Sequence, residues 1–170
     1  EFSSDRKRET VIVKDRGVIK DFSKGADSII EERLSKNTPE SVLKQCKYYV
    51  NKFSAQGFRT LYLAMKILSQ EEYDDYAEKL KQAQMSIEDK DKRVEEVNNI
   101  VENNLFLIGT TIVEDKLQEN VPETIRNLRL SNIKVWMLTG DKMNTAYNIG
   151  LSCNLINKEM KIFNICGIEP

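Results

Sequence analysis

Apolar and polar positions alternate from Thr10 to Lys14, Asp15-Arg16-Gly17 carry turn chemistry, and Val18 to Phe22 resume the apolar pattern. That spacing predicts a β-hairpin. Ser23-Lys24-Gly25-Ala26-Asp27 breaks it, and a short helix is expected through Leu34. After a loop at Ser35-Lys36-Asn37, Thr38 reads as an N-cap with Pro39 at the first helical position. Val42, Leu43, Cys46, Tyr49, Val50 and Phe53 then recur at helical spacing, up to a stop at Gly57. Arg59 to Leu68 alternates again, with Leu61, Leu63, Met65 and Ile67 on one face of a strand. Ser69 and Glu72 have the spacing of a capping box and open a helix to about Gln84. A second helix is expected from about Glu88 to Asn104, with Val94, Val97 and Val101 inward. Its Glu88–Lys92 and Asp89–Arg93 pairs are those of a solvated helical face.

Past Leu105 the pattern changes. Leu105 to Val113 reads as a strand, a helix runs from near Pro122 to near Leu130, and Ile133 to Leu138 reads as another strand. A helix from about Met143 to Ser152 and a short strand at Ile162 to Ile165 follow. Strand, helix, strand, helix at this spacing predicts a right-handed βαβ unit with a parallel sheet. The expected fold class is α/β: an α+β part with an antiparallel sheet, then part of a parallel α/β domain. The boundary is expected near Ile112 to Asp115, giving residues 1–111 and 112–170.

Composition narrows the functions. With 40% hydrophobic and 31% charged residues, a folded soluble core is expected. A net charge of −1 argues against a nucleic-acid partner. The longest nearly apolar run, Leu105 to Val113, is far too short to span a bilayer. Cys46, Cys153 and Cys166 show no C-x-x-C spacing, which fits a reduced compartment. With no histidine, a zinc site is not expected and triads built on a histidine base are excluded. Neither Glu1-Phe2-Ser3 nor Ile168-Glu169-Pro170 looks like a natural boundary, so a piece excised from a longer chain is expected.

The candidate chemistry centres on the apolar run that ends in Thr139-Gly140-Asp141. In open α/β sheets, ligands bind beyond the carboxyl ends of strands. There Thr139 offers a hydroxyl, Gly140 a close backbone approach, and Asp141 a carboxylate for a cation or a helix cap. Phe2 offers a stacking face, while Lys24 and Arg59 offer charge-assisted donors to phosphate oxygens. Asp115 and Asp141 at strand ends can hold a magnesium-phosphate assembly. Plainer readings exist for each: Phe2 in a core, Lys24 a solvated turn lysine, Arg59 a cap neighbour, Asp115 a helix N-cap.

Taken in order, Phe-Ser-Ser-x-Arg-Lys-Arg, Lys-Gly-Ala-Asp, Gly-x-Arg-Thr-Leu, Ile-x-Asp-Lys-Leu-Gln-x-x-Val-Pro-Glu-Thr-Ile and Leu-Thr-Gly-Asp-Lys resemble a P-type ATPase. The 115–118 and 121–125 blocks, with the tail from Thr145 to Cys153, resemble the type IV branch, the phospholipid flippases. The resemblance implies that the first part is the C-terminal half of a nucleotide-binding domain and the rest the middle of a dehalogenase-like phosphorylation domain. It implies that Phe2 stacks on adenine, that Lys24, deep in the pocket, and Arg59 contact the nucleotide, and that Thr139, Gly140 and Asp141 lie beside the transferred phosphoryl group, with Asp115 supporting them at a hinge. ATP and Mg2+ are the implied cofactors. A phospholipid, a membrane and an accessory subunit are the implied partners of the longer protein. Glu9-Thr10 stands where the family often has Met-Ser, Asn120 where Gly is usual and Asn144 where Glu is usual; none is expected to touch a carried-over residue. The Asp-Lys-Thr-Gly-Thr segment of the phosphorylated aspartate and the Gly-Asp-Gly-x-Asn-Asp motif are absent. Two alternatives are a soluble dehalogenase-class phosphatase, which would need an Asp-x-Asp strand end, and a non-catalytic nucleotide-binding module.

Overall fold

The computed structural model describes residue 3 and residues 5–114, 116–141 and 143–165. The chain divides into two compact units, one formed by Glu1–Phe53 with Thr60–Val113, the other by Ser54–Arg59 with Glu114–Pro170.

The first unit is built on a four-stranded sheet in the order β1 (Arg8–Asp15), β2 (Val18–Gly25), β3 (Arg59–Leu68), β4 (Phe106–Val113). The hairpin signal holds. Arg16 and Gly17 turn the chain with φ of 49° and 82°, a two-residue turn whose twist matches that of the strands. The turn places Asp15 opposite Val18 and, six residue pairs further on, Glu9 opposite Lys24. On the other side β2 runs antiparallel to β3, with Lys24 opposite Leu63 and Phe22 opposite Met65.

Helices α1 (Asp27–Glu31), α2 (Glu40–Ser54), α3 (Gln70–Met85) and α4 (Lys90–Val101) cover one face of this sheet. Ile30, Cys46 and Val50 pack with Tyr62, Ala64 and Leu107. Val101, Tyr73 and Tyr76 pack with Ile12, Ile19 and Leu68. The capping box opens α3: Glu72 N–H donates to Ser69 Oγ at 3.1 Å, and Ser69 N–H donates to Glu72 Oε2 at 2.7 Å. β3 is apolar on both faces, and the helices take the even set. The alternating residues Leu61, Leu63, Met65 and Ile67 therefore line the other face, where Ile67 keeps 63% of its surface exposed. Across from them on that open face stand Val11, Phe22 and Lys24.

Under the covered face lies an ionic network. Arg8, 3% exposed, donates through Nε to Glu102 at 2.6 Å and through one terminal nitrogen to Glu95 and Asn99. Arg6 pairs with the same two glutamates. The network fastens β1 to α4. Burial pushes the Glu102 carboxyl up, but hydrogen bonds and charge from Arg6 and Arg8 hold it below the ordinary range on balance.

The second unit contains α5 (Val121–Leu130) and α6 (Met143–Ser152). Asn120 adopts φ of 66° at the start of α5, a left-handed conformation that glycine takes freely and asparagine tolerates best among the rest. The strands expected at Ile133–Leu138 and Ile162–Ile165 are not formed. A strand exists only as a member of a ladder, and no strand pairs with either segment among the described residues. The N–H of Ile133 instead donates to Leu128 C=O at 2.9 Å, closing the end of α5. Trp136 and Leu138 are left 81% and 96% exposed. β4, expected to lead into this part, completes the four-stranded sheet. No helix among the described residues is long and apolar enough to cross a membrane.

Candidate functional site

The Thr-Gly-Asp turn lies in the second unit, between the extended segment through Leu138 and the first residue of α6. The Thr139 hydroxyl donates to Asp141 Oδ2 at 2.9 Å and accepts from the Asp141 N–H at 3.0 Å, so the two side chains hold each other across Gly140. A Cβ at Gly140 would meet nothing within 4 Å, so one side of the turn is open. Arg59 reaches the same carboxylate oxygen at 3.4 Å, from 82 residues away in sequence. Its segment belongs to this unit because of Gly57. With φ of 91° and space for no Cβ beside Asn148, Gly57 lets residues 54–59 lie against α6. The Asn148 amide donates to Ala55 C=O at 3.2 Å and fixes that approach. A cavity of about 360 Å³ opens beside it, lined by Gly57, Phe58, Lys116, Leu117, Asn148 and Ser152 among others.

Thr139, Asp141 and Arg59 thus gather a hydroxyl, a carboxylate and a guanidinium. A fixed hydroxyl and a planar cation suit the oxygens of a phosphoryl group. Magnesium is usually held by one or two carboxylates together with a ligand's phosphate oxygens and water. Of the expected pair the described residues include Asp141, whose carboxylate is engaged by Thr139 and Arg59 and would be the group to meet such an ion.

Lys24 belongs to the first unit, on the open face of the sheet. Its ammonium lies 2.7 Å from Glu9 Oε1, and the two side chains keep 40% and 36% of their surface exposed. The hydrogen bond and positive charge from Lys24 hold the Glu9 carboxyl below its ordinary range. Gly25, the next residue, sits tightly against the chain entering β1. A Cβ there would sit 2.7 Å from Lys7 O and 2.7 Å from Arg8 Cβ, so the missing side chain makes room for β1. Phe2 and Asp115 lie outside the described residues.

A family model described as P-type ATPase, cytoplasmic domain N, matches residues 1–120. The chain belongs to the P-type ATPases. Its curated relatives belong to the phospholipid-transporting branch, in agreement with the resemblance read from the motifs. It is 43% identical over 169 residues to phospholipid-transporting ATPase ID of Homo sapiens, covering 98% of this chain and 14% of that one. It is 47% identical over 163 residues to phospholipid-transporting ATPase dnf2 of Schizosaccharomyces pombe, covering 94% and 12%. Probable phospholipid-transporting ATPase 12 of Arabidopsis thaliana is 44% identical over 163 residues, covering 95% and 14%. This P-type ATPase chain therefore spans about one-eighth of the length of such relatives.

Against this family the departure at Glu9 carries more weight than the sequence suggested. It was expected to touch no carried-over residue, and it forms an ion pair with Lys24. The signal was present in the chain, since the Arg16-Gly17 turn alone fixes Glu9 opposite Lys24. Phe22, 38% exposed two residues from Lys24, was likewise read only as part of a hairpin.

Proposed function

We propose that this chain handles adenine nucleotide in a phospholipid-transporting P-type ATPase. Residues 1–111 act as the C-terminal part of a nucleotide-binding domain and residues 112–170 as part of a phosphorylation domain. One observation carries the binding half of this reading: a sheet face left open by the helices, apolar through Phe22, Leu63 and Met65, and bearing the Lys24 ammonium. An apolar surface takes a base and a cation takes its polar edge or phosphates. In the second unit, Thr139, Asp141 and Arg59 position the phosphoryl group being transferred. Phe2 and Asp115 join these two groups through the family resemblance. In the longer protein an aspartate outside this chain would attack the γ-phosphate of ATP with Mg2+ present, and the aspartyl-phosphate would drive phospholipid across the membrane, with an accessory subunit as partner.

The reading predicts that the chain binds ATP weakly and does not turn it over, since the family's nucleophile motif is absent from its sequence. Titration with ADP, followed by amide shifts in NMR, is expected to perturb residues of the open face. Lys24→Ala is expected to weaken binding about tenfold, in line with the loss of a charge-assisted hydrogen bond, whereas Lys20→Ala at the turn end of β2 leaves it unchanged. Incubation with γ-labelled ATP and magnesium is expected to give no acid-stable label. Labelling of this chain, or shifts confined to the covered face, would overturn the proposal.

A further inference from the structure

We infer that Glu9 is a positioning residue that restrains Lys24, so that nucleotide must compete with its carboxylate for the Lys24 ammonium. The inference rests on the reading of Lys24 as a nucleotide contact and adds a control on that contact which the family's usual methionine cannot supply. Three observations support it. First, the pairing is fixed by backbone: Glu9 and Lys24 are direct cross-strand partners in the β1–β2 ladder, at the end of a hairpin whose register a two-residue turn sets. Second, the pair is tight, at 2.7 Å, and stands beside Leu63 of β3 on the sheet face opposite the one that α1–α4 cover. Third, the described structure already supplies the fastening of β1 elsewhere, through Arg8 to Glu102, Glu95 and Asn99 under the opposite face. The Glu9–Lys24 pair is thus not needed to hold the strand.

Consequences for binding follow from charge. Lys24 alone would present a full positive charge to an anionic ligand. With Glu9 beside it, the pair is neutral, and one of the three Lys24 donors is engaged by a carboxylate oxygen. A ligand can still take Lys24, because an ion pair this exposed is weak and is screened by salt. The chain therefore retains a nucleotide contact of reduced strength.

The test is a double-mutant cycle with ADP as the probe, its dissociation constant read from amide shifts of the whole chain at low and high salt. Glu9→Gln keeps the shape and removes the charge; it is expected to tighten ADP binding about two- to fivefold, the range that an exposed ion pair allows. Glu9→Met is expected to do the same. In a Lys24→Ala background, Glu9→Gln is expected to have little effect, because the restraint acts through Lys24. The gain is expected to shrink in high salt. If Glu9→Gln leaves affinity unchanged or weakens it while Lys24→Ala still weakens it, the restraint is wrong and the nucleotide reading survives. An undiminished gain from Glu9→Gln without Lys24 would show plain repulsion of the ligand and would also overturn the restraint. If Lys24→Ala has no effect on ADP, the underlying reading of Lys24 fails. Cross-strand amide contacts in each variant establish that the hairpin register is intact.

Discussion

Asp21 sits at the centre of β2 with no exposed surface, next to the ionic network under the sheet. Burial pushes its carboxyl up to about 7, and the nearby Glu102 charge adds to this, while a hydrogen bond from Ser23 and the charge of Lys66 act against it. The folded state thus favours the neutral acid. Its folded pKa lies above the ordinary carboxylate value, so this contribution is complete at low pH and is lost as pH rises through about 7. Asp21→Asn is therefore expected to gain stability relative to the unsubstituted chain between pH 5 and pH 8, by about 2–3 kcal/mol, as measured by urea unfolding at the two values. An unchanged difference would place the titration elsewhere. At this scale the sequence was uneven. Lys24 and Asp141 stood out because they belong to motifs. Glu9 did not, because its role depends on what lies across the strand. Arg59 and Asp141 could not be paired from spacing at all, since only the fold of residues 54–59 against α6 joins them.

Elements were legible where a local device defines them. The Ser69–Glu72 box and the Arg16-Gly17 turn each act within four residues, and each element they bound is formed. Residues 133–138 failed for the converse reason: their β-rich composition states a preference, but a strand needs a neighbour to supply its hydrogen bonds. The helices' choice of sheet face was equally hidden, because β3 is apolar on both sides. Gly25 offers a test of the hairpin. A methyl group there would press on the Lys7 carbonyl oxygen and on Cα and Cβ of Arg8, none of them the far end of a flexible side chain. Gly25→Ala is expected to destabilise the chain by about 1–3 kcal/mol and to shift the β1 amides in NMR. Gly109→Ala, where an added Cβ meets nothing within 4 Å, is the control.

At the scale of the whole molecule both units expose apolar side chains, but the first also encloses an apolar core between sheet and helices, outside which Ile67, Met85 and Ile87 are each more than 60% exposed. In the second, Leu130, Trp136, Leu138 and Phe163 are each more than 70% exposed. Trp136 is the single tryptophan in the sequence, so its fluorescence reports that unit alone. Acrylamide is expected to quench it nearly as efficiently in the native chain as in urea. Strong protection in the native chain would mean that residues 133–138 are covered, contrary to the exposure found here.

The second unit's ownership of residues 54–59 has a practical corollary for genetic dissection. Its parts come from two places in the gene, because Ser54–Arg59 is spliced into the reading frame of the first unit. A stop codon after Val113 would therefore yield a polypeptide that still carries Ala55 and Gly57 but has lost Asn148, the residue against which they rest. Shortening that segment to a minimal linker is the cleaner excision, since it removes the orphaned loop together with its partner.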